Sequence, residues 1–138
     1  MKSDAALLKT LDALLADELT AINQYMVHSE MCANWGYGRL HGKIEKRAVQ
    51  EMHHAESLIA RIIFLEGIPT VSKLNDIHIG SDVAKQLQSD LAAETLAVRN
   101  YNEAIHQADK VGDAATRDLL EHRNVGAATR HSGRHSLN

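Results

Sequence analysis

With 138 residues, a formal net charge of -3 and 44% hydrophobic residues, the chain can build one domain around its own core and is too short for two comfortable ones. Charges of both signs are interspersed without a basic run, which argues against a nucleic-acid partner, and Asp4, Asp12, Asp17 and Glu18 interrupt the first apolar stretch, which therefore reads as neither signal peptide nor membrane span. The single cysteine, Cys32, excludes an internal disulfide and suits a reducing, cytoplasmic setting.

Sparse glycines and one proline punctuate the chain: Gly36 and Gly38, then Gly67, Pro69 and Gly80, then Gly112, and late in the chain Gly126 and Gly133. They delimit four helical patterns in a single domain spanning 1–138, at about 4–35, 39–65, 82–111 and 113–125 or slightly beyond, and no useful β-alternation lies between them. The first pattern carries Leu7, Leu11, Leu14, Glu18, Ala21, Ile22, Tyr25 and Cys32 on one stripe. The second places Ile44, Ala48, Glu51, Ala55, Leu58, Ile62 and Leu65 on one face, with His54 on the same side. Ser81 offers an N-cap for the third, whose stripe reads Val83, Leu87, Leu91, Glu94, Val98, Tyr101 and Ile105. Short breaks near Gly36 and Gly112 make antiparallel neighbours, whereas "EGIPTVSKLNDIHIG" is long enough to run the length of a bundle. The expected fold is all-α, a four-helix bundle with one long crossover between the second and third helices, which is the ferritin-like arrangement.

Each of Glu18, Glu51 and Glu94 lies about halfway along its helix, so an antiparallel bundle brings all of them to a similar height. A single glutamate on an apolar stripe ordinarily sits at its edge and stays solvated. Several at matched depth repel one another and lose hydration unless a cation or proton compensates. Carboxylates with an imidazole suit iron or manganese, and Glu51 to His54 has the Glu-x-x-His spacing of bundle di-iron sites. His53 turns away from Glu51 and reads as a surface or interface histidine. Met52 also points elsewhere, where packing is the ordinary use of a methionine.

The stretches "ELTAINQYMVHSEMCANWGYGRL", "EMHHAESLIARIIFLEGIP" and "IGSDVAKQLQSDLAAE" resemble bacterioferritin, the haem-containing ferritin of bacteria, over roughly residues 4 to 121. The resemblance implies a 24-subunit homo-oligomeric cage that oxidises ferrous iron with dioxygen at an intrasubunit di-iron centre and stores the ferric product. It further implies Glu18, Glu51, His54 and Glu94 as iron ligands, Tyr25 as an electron donor beside them, and Met52 as axial ligand of a haem b shared across a twofold axis. A ferredoxin-type reductant for iron release is the implied partner. A DNA-protecting mini-ferritin, whose ligands lie between subunits, is not what these motifs resemble.

From about His122 the chain departs from that pattern. Counting along it puts Ala127 and Arg130 where the last Glu-x-x-His should stand, and the family's short fifth helix is missing. His131, four residues after Ala127, is a substitute ligand on roughly the same face, with His135 a turn further on. The glycines and β-branched residues after Val125 favour fraying of the fourth helix. Residues 122–138 thus read as an atypical tail, and the expected centre is short of ligands for a second iron. The alternative function is a haem-binding cage subunit with an impaired or absent ferroxidase centre.

Overall fold

A computed structural model describes the backbone of residues 4–135 and the side chains of residues 4–124. It contains α1 (Ala5–Asn34), α2 (Gly38–Phe64), α3 (Val83–Lys110) and α4 (Ala114–His135), and no strand among the described residues. Asp4 caps α1 by accepting from Leu7 N at 3.0 Å. Asp82, rather than the expected Ser81, caps α3 by accepting from Lys85 N at 2.8 Å. A carboxylate answers both the exposed N–H and the positive end of the helix dipole, where a serine hydroxyl answers only the first. Helix α4 runs through Gly126 and Gly133 to His135, beyond the region where its composition suggests fraying. The turns after α1 and α3 place Gly36 and Gly112 at φ of 85° and 78°, a conformation that costs a glycine little.

Hydrogen bonds between side chains establish the directions. Tyr25 pairs with Arg47 and Ser29 with His41, so α1 and α2 are antiparallel. Thr10 pairs with Gln107 and Gln24 with Asp90, so α1 and α3 are antiparallel too. Helices α2 and α3 therefore run the same way, as a long crossover requires.

The core is built from Leu7, Leu11, Leu14 and Leu15 of α1 against Ala55, Leu58 and Ile62 of α2, with Tyr101, Ala104 and Ala108 of α3 and Leu120 of α4. A smaller cluster of Tyr25, Cys32, Ile44 and Ala48 fills the other end of the α1–α2 pair. Between the two clusters the interior is polar.

The crossover from Leu65 to Asp82 lies on α1 and is fastened by polar side chains spaced along that helix. Thr70 N donates to Asp12 at 2.8 Å, Asn75 N to Thr20 Oγ1 at 2.8 Å, His78 N to Gln24 Oε1 at 3.0 Å, and Gly80 N to His28 Nε2 at 3.0 Å. These bonds satisfy backbone donors of a segment with no ladder of its own. They also bury a second face of α1, including Thr20, Gln24 and His28.

Helix α3 corrects the expected stripe. Gln86, Asp90, Glu94, Tyr101, Ala104 and Ala108 face inward, while Leu87 and Leu91 are exposed. Apolar character misassigns the face because Gln86 and Asp90 find buried partners on α1: Asp90 accepts from Gln24 Nε2 at 2.9 Å, and Gln86 accepts from Cys32 Sγ at 3.3 Å.

Candidate metal centre

Matched depth on the helices delivers the carboxylates to the middle of the bundle. Glu18 and Glu51 are 1% and 2% exposed, and Glu94 is 3% exposed. His54, one turn after Glu51 on α2, places Nδ1 3.1 Å from Glu51 Oε2 and 3.7 Å from Glu18 Oε2. One donor atom from each of Glu18, Glu51 and His54 lies within 4.8 Å of the others. Neither Glu18 oxygen has a hydrogen-bond partner among the described residues. Buried carboxylate oxygens in that condition call for a cation, and the oxygen-plus-imidazole donor set suits a divalent one.

Glu94 joins the cluster differently. Its Oε2 accepts from Arg47 Nη2 at 3.3 Å, and its Oε1 is 3.6 Å from Arg123 Nη1. Arg47 Nη2 also donates to the Tyr25 hydroxyl at 3.0 Å, and its guanidinium lies 4.9 Å from the centre of the Tyr25 ring. Tyr25 is thus tied to Glu94 through a shared arginine.

The ferritin-like domain profile matches residues 8–124. The chain is 40% identical over 121 residues to a bacterioferritin of Rhodobacter capsulatus, covering 88% of this chain and 75% of that one. Against a bacterioferritin of Brucella melitensis it is 38% identical over the same shares, and against a bacterial ferritin of Synechocystis 39% identical over 87% of this chain and 77% of that one. The chain belongs to the bacterioferritin family. Iron storage is the coarse function that membership carries.

What the family resemblance does not anticipate is Arg123. It comes from α4, is 5% exposed, and lies in the midst of the carboxylates, with Nε 3.4 Å from Glu18 Oε1, Nη2 3.7 Å from Glu51 Oε2 and Nη1 3.6 Å from Glu94 Oε1. Its guanidinium stacks on Tyr101 at 4.5 Å from the ring centre. Charge and burial divide the carboxylates. Burial, with the Glu51 carboxylate beside it, pushes Glu18 up to about 8 despite His54 and Arg123. For Glu51 burial acts in the same sense but is outweighed by Glu18, His54 and Arg123, which hold it down to about 2. His54 loses solvation, yet Glu18 and Glu51 raise it to about 9. The Tyr25 hydroxyl is pushed above its ordinary value by burial, against the pull of Arg47. Burial and charge thus favour the protonated forms of Glu18 and His54 and the ionised form of Glu51.

Other expected residues fall elsewhere. Met52 is 45% exposed on the outer side of α2 and borders a groove of about 280 Å³ with Ile22, Met26, Ala48 and Val49. His53 is a surface residue 4.0 Å from Glu56. Ala127, Arg130, His131 and His135 lie outside the residues whose side chains are described. Sequence reasoning missed Arg47 and Arg123, since a lone arginine on a helix ordinarily belongs to its solvated face.

No helix among the described residues is long and apolar enough to cross a membrane.

Proposed function

We propose that the chain is a cytoplasmic iron-storage subunit whose ferrous substrate binds at Glu18, Glu51 and His54, with Glu94 turned toward a second ion. The carrying observation is the buried Glu18 carboxylate, without a hydrogen-bond partner among the described residues, within reach of Glu51 and His54. In the ferroxidase reaction two ferrous ions each give up one electron to dioxygen, which takes up two protons and leaves as hydrogen peroxide. The carboxylates stabilise the more highly charged ferric product and His54 fixes the first ion. Tyr25, linked to Glu94 by Arg47, is positioned as an additional electron source.

The reading favoured here is an impaired centre. The Ala127 side chain has no donor atom wherever it lies, and Arg123 brings a cation among the remaining ligands. Binding is then single or uneven, and oxidation slower than at a complete centre. Iron stoichiometry and ferric absorbance after oxygen addition test this in the chain beside the double variant Ala127→Glu, Arg130→His. Fewer than two irons per chain, rising in the variant with a faster oxidation, are expected; two irons and equal rates in both would overturn it.

Met52 and its groove support haem b binding between two copies, each offering a thioether; a bis-thioether haem supplies an electron path from a ferredoxin-type reductant when bound. Met52→Leu should abolish haem uptake without changing assembly. The exposed Leu87, Leu91 and Leu96 on α3 and Ile63 and Phe64 on α2 support burial in a homo-oligomer, proposed to be the 24-subunit cage, and light scattering distinguishes the cage from a dimer.

A further inference from the structure

Among the described residues the buried or part-buried Arg47, Arg61 and Arg123 face carboxylates, and they are held in different ways; Arg47 donates through Nη2 to Glu94 and to the Tyr25 hydroxyl. Arg61 is bonded directionally: Nε donates to Thr116 Oγ1 at 2.8 Å and Nη2 to Asp113 Oδ1 at 3.0 Å. Arg123 approaches Glu18, Glu51 and Glu94 at 3.4 to 3.7 Å, and its Nε and Nη1 make no hydrogen bond among the described residues. Contacts of that length attract by charge and by stacking on Tyr101 without the geometry of a fitted pair. The guanidinium thus stands where a bound cation would stand, held by the field of the acids.

We propose that Arg123 is the resident counter-cation of the carboxylate cluster when it holds no iron, so that loading the site is an exchange in which the arriving ion displaces the guanidinium. This rests on the reading of Glu18, Glu51 and His54 as iron ligands. A divalent ion attached to Glu18 and Glu51 repels a guanidinium kept on the same oxygens, in surroundings that screen charge poorly. The side chain has room to withdraw. A cavity of about 190 Å³ borders Arg123, His54, Ser57, Tyr101 and His122. Ser57 and His122 are exposed, so this cavity reaches the surface between α2 and α4. In the iron-free state Arg123 relieves repulsion among the acids; on loading, the same charge weakens binding and sets a threshold concentration of free ion.

Cobalt(II) is the probe, because it accepts the same donors and is not oxidised by air. Titration of the full chain by calorimetry and visible absorption should show Arg123→Leu binding at least tenfold more tightly than the unchanged protein, with Arg123→Lys close to the latter. In parallel, phenylglyoxal modification of the unchanged chain, followed by peptide mass spectrometry, should show Arg123 labelled faster once cobalt is bound, with Arg61 constant as internal reference. Affinity within twofold between a folded Arg123→Leu and the unchanged chain overturns the exchange while leaving the metal site intact. If that variant does not fold, unchanged Arg123 labelling at saturating cobalt overturns it instead. Absence of cobalt binding in every chain overturns the metal site itself and this inference with it.

Discussion

Two buried polar clusters lie a few turns apart in this bundle, and their bonding differs. Around His28 the groups are matched: Nδ1 is 3.0 Å from Asp90 Oδ1, Nε2 accepts from Gly80 N, and Asp90 also accepts from Gln24. With Nε2 accepting, the Nδ1 nitrogen carries the proton and donates to Asp90. Around Glu18, by contrast, both of its oxygens and the Nε and Nη1 of Arg123 have no hydrogen-bond partner among the described residues. The first cluster holds the crossover on α1 and is complete by itself. The second is incomplete among the described residues, as the exchangeable ion proposed above would require.

The sharpest way to break this comparison is His28→Leu. It leaves the Asp90 carboxylate with only Gln24 of these two partners and orphans the Gly80 N–H, so chemical denaturation should show a loss of about 3 to 5 kcal/mol. Cobalt binding per folded chain should stay unchanged; a loss below about 1 kcal/mol would show that this network is not structural.

Gly80→Ala probes the same network through space rather than charge. A Cβ there runs into the backbone of Lys85 and Gln86 at the start of α3, where no side chain can move aside. The crossover end must shift away from His28, with a loss of about 2 to 3 kcal/mol in the same denaturation assay. A neutral result would mean that the close approach is not needed.

The response to pH separates the clusters next. His54, raised to about 9 from its ordinary 6.5, contributes stability that is fully present below 6.5 and lost as pH rises through about 9. Glu18, raised to about 8 from 4.5, contributes stability that is fully present below 4.5 and lost as pH rises through about 8. Glu51, lowered to about 2, contributes above 4.5 and loses that contribution as pH falls toward 2. Metal-free protein should therefore lose on the order of 1 to 2 kcal/mol between pH 7 and 9, measured by denaturation in the presence of a chelator. Flat stability over that interval would contradict the raised values of His54 and Glu18.

The smallest effect is expected for Glu18→Gln. Replacing a largely protonated buried carboxyl by its neutral isostere should change metal-free stability by less than about 1 kcal/mol while removing cobalt binding. A large destabilisation would move Glu18 into the structural class with His28.

How much of this could be read beforehand follows from period and partner. Glu18, Glu51 and His54 are legible because helical spacing alone puts them on an inward face, and the structure brings them together. Leu87 and Leu91 mislead for the same reason that Gln86 and Asp90 do: hydropathy ranks residues by their cost when alone, and Gln86 and Asp90 are not alone. Thr20, Gln24 and His28, recurring every four residues on α1, were a readable signal for that second buried face.

From its sequence alone, this chain determines four helices, their order, and a crossover long enough to make α2 and α3 parallel, because periodicity and connection length are local properties. The depth of the acidic residues is local too, being a count along each helix. Which cation meets them was decided only by tertiary structure. Arg123 reaches Glu18, Glu51 and Glu94 because α4 packs against α2 and α3 with that position turned inward over Tyr101, and Arg47 reaches Glu94 and Tyr25 across separate helices. Nothing in the spacing of one helix encodes the height at which another will present its charge.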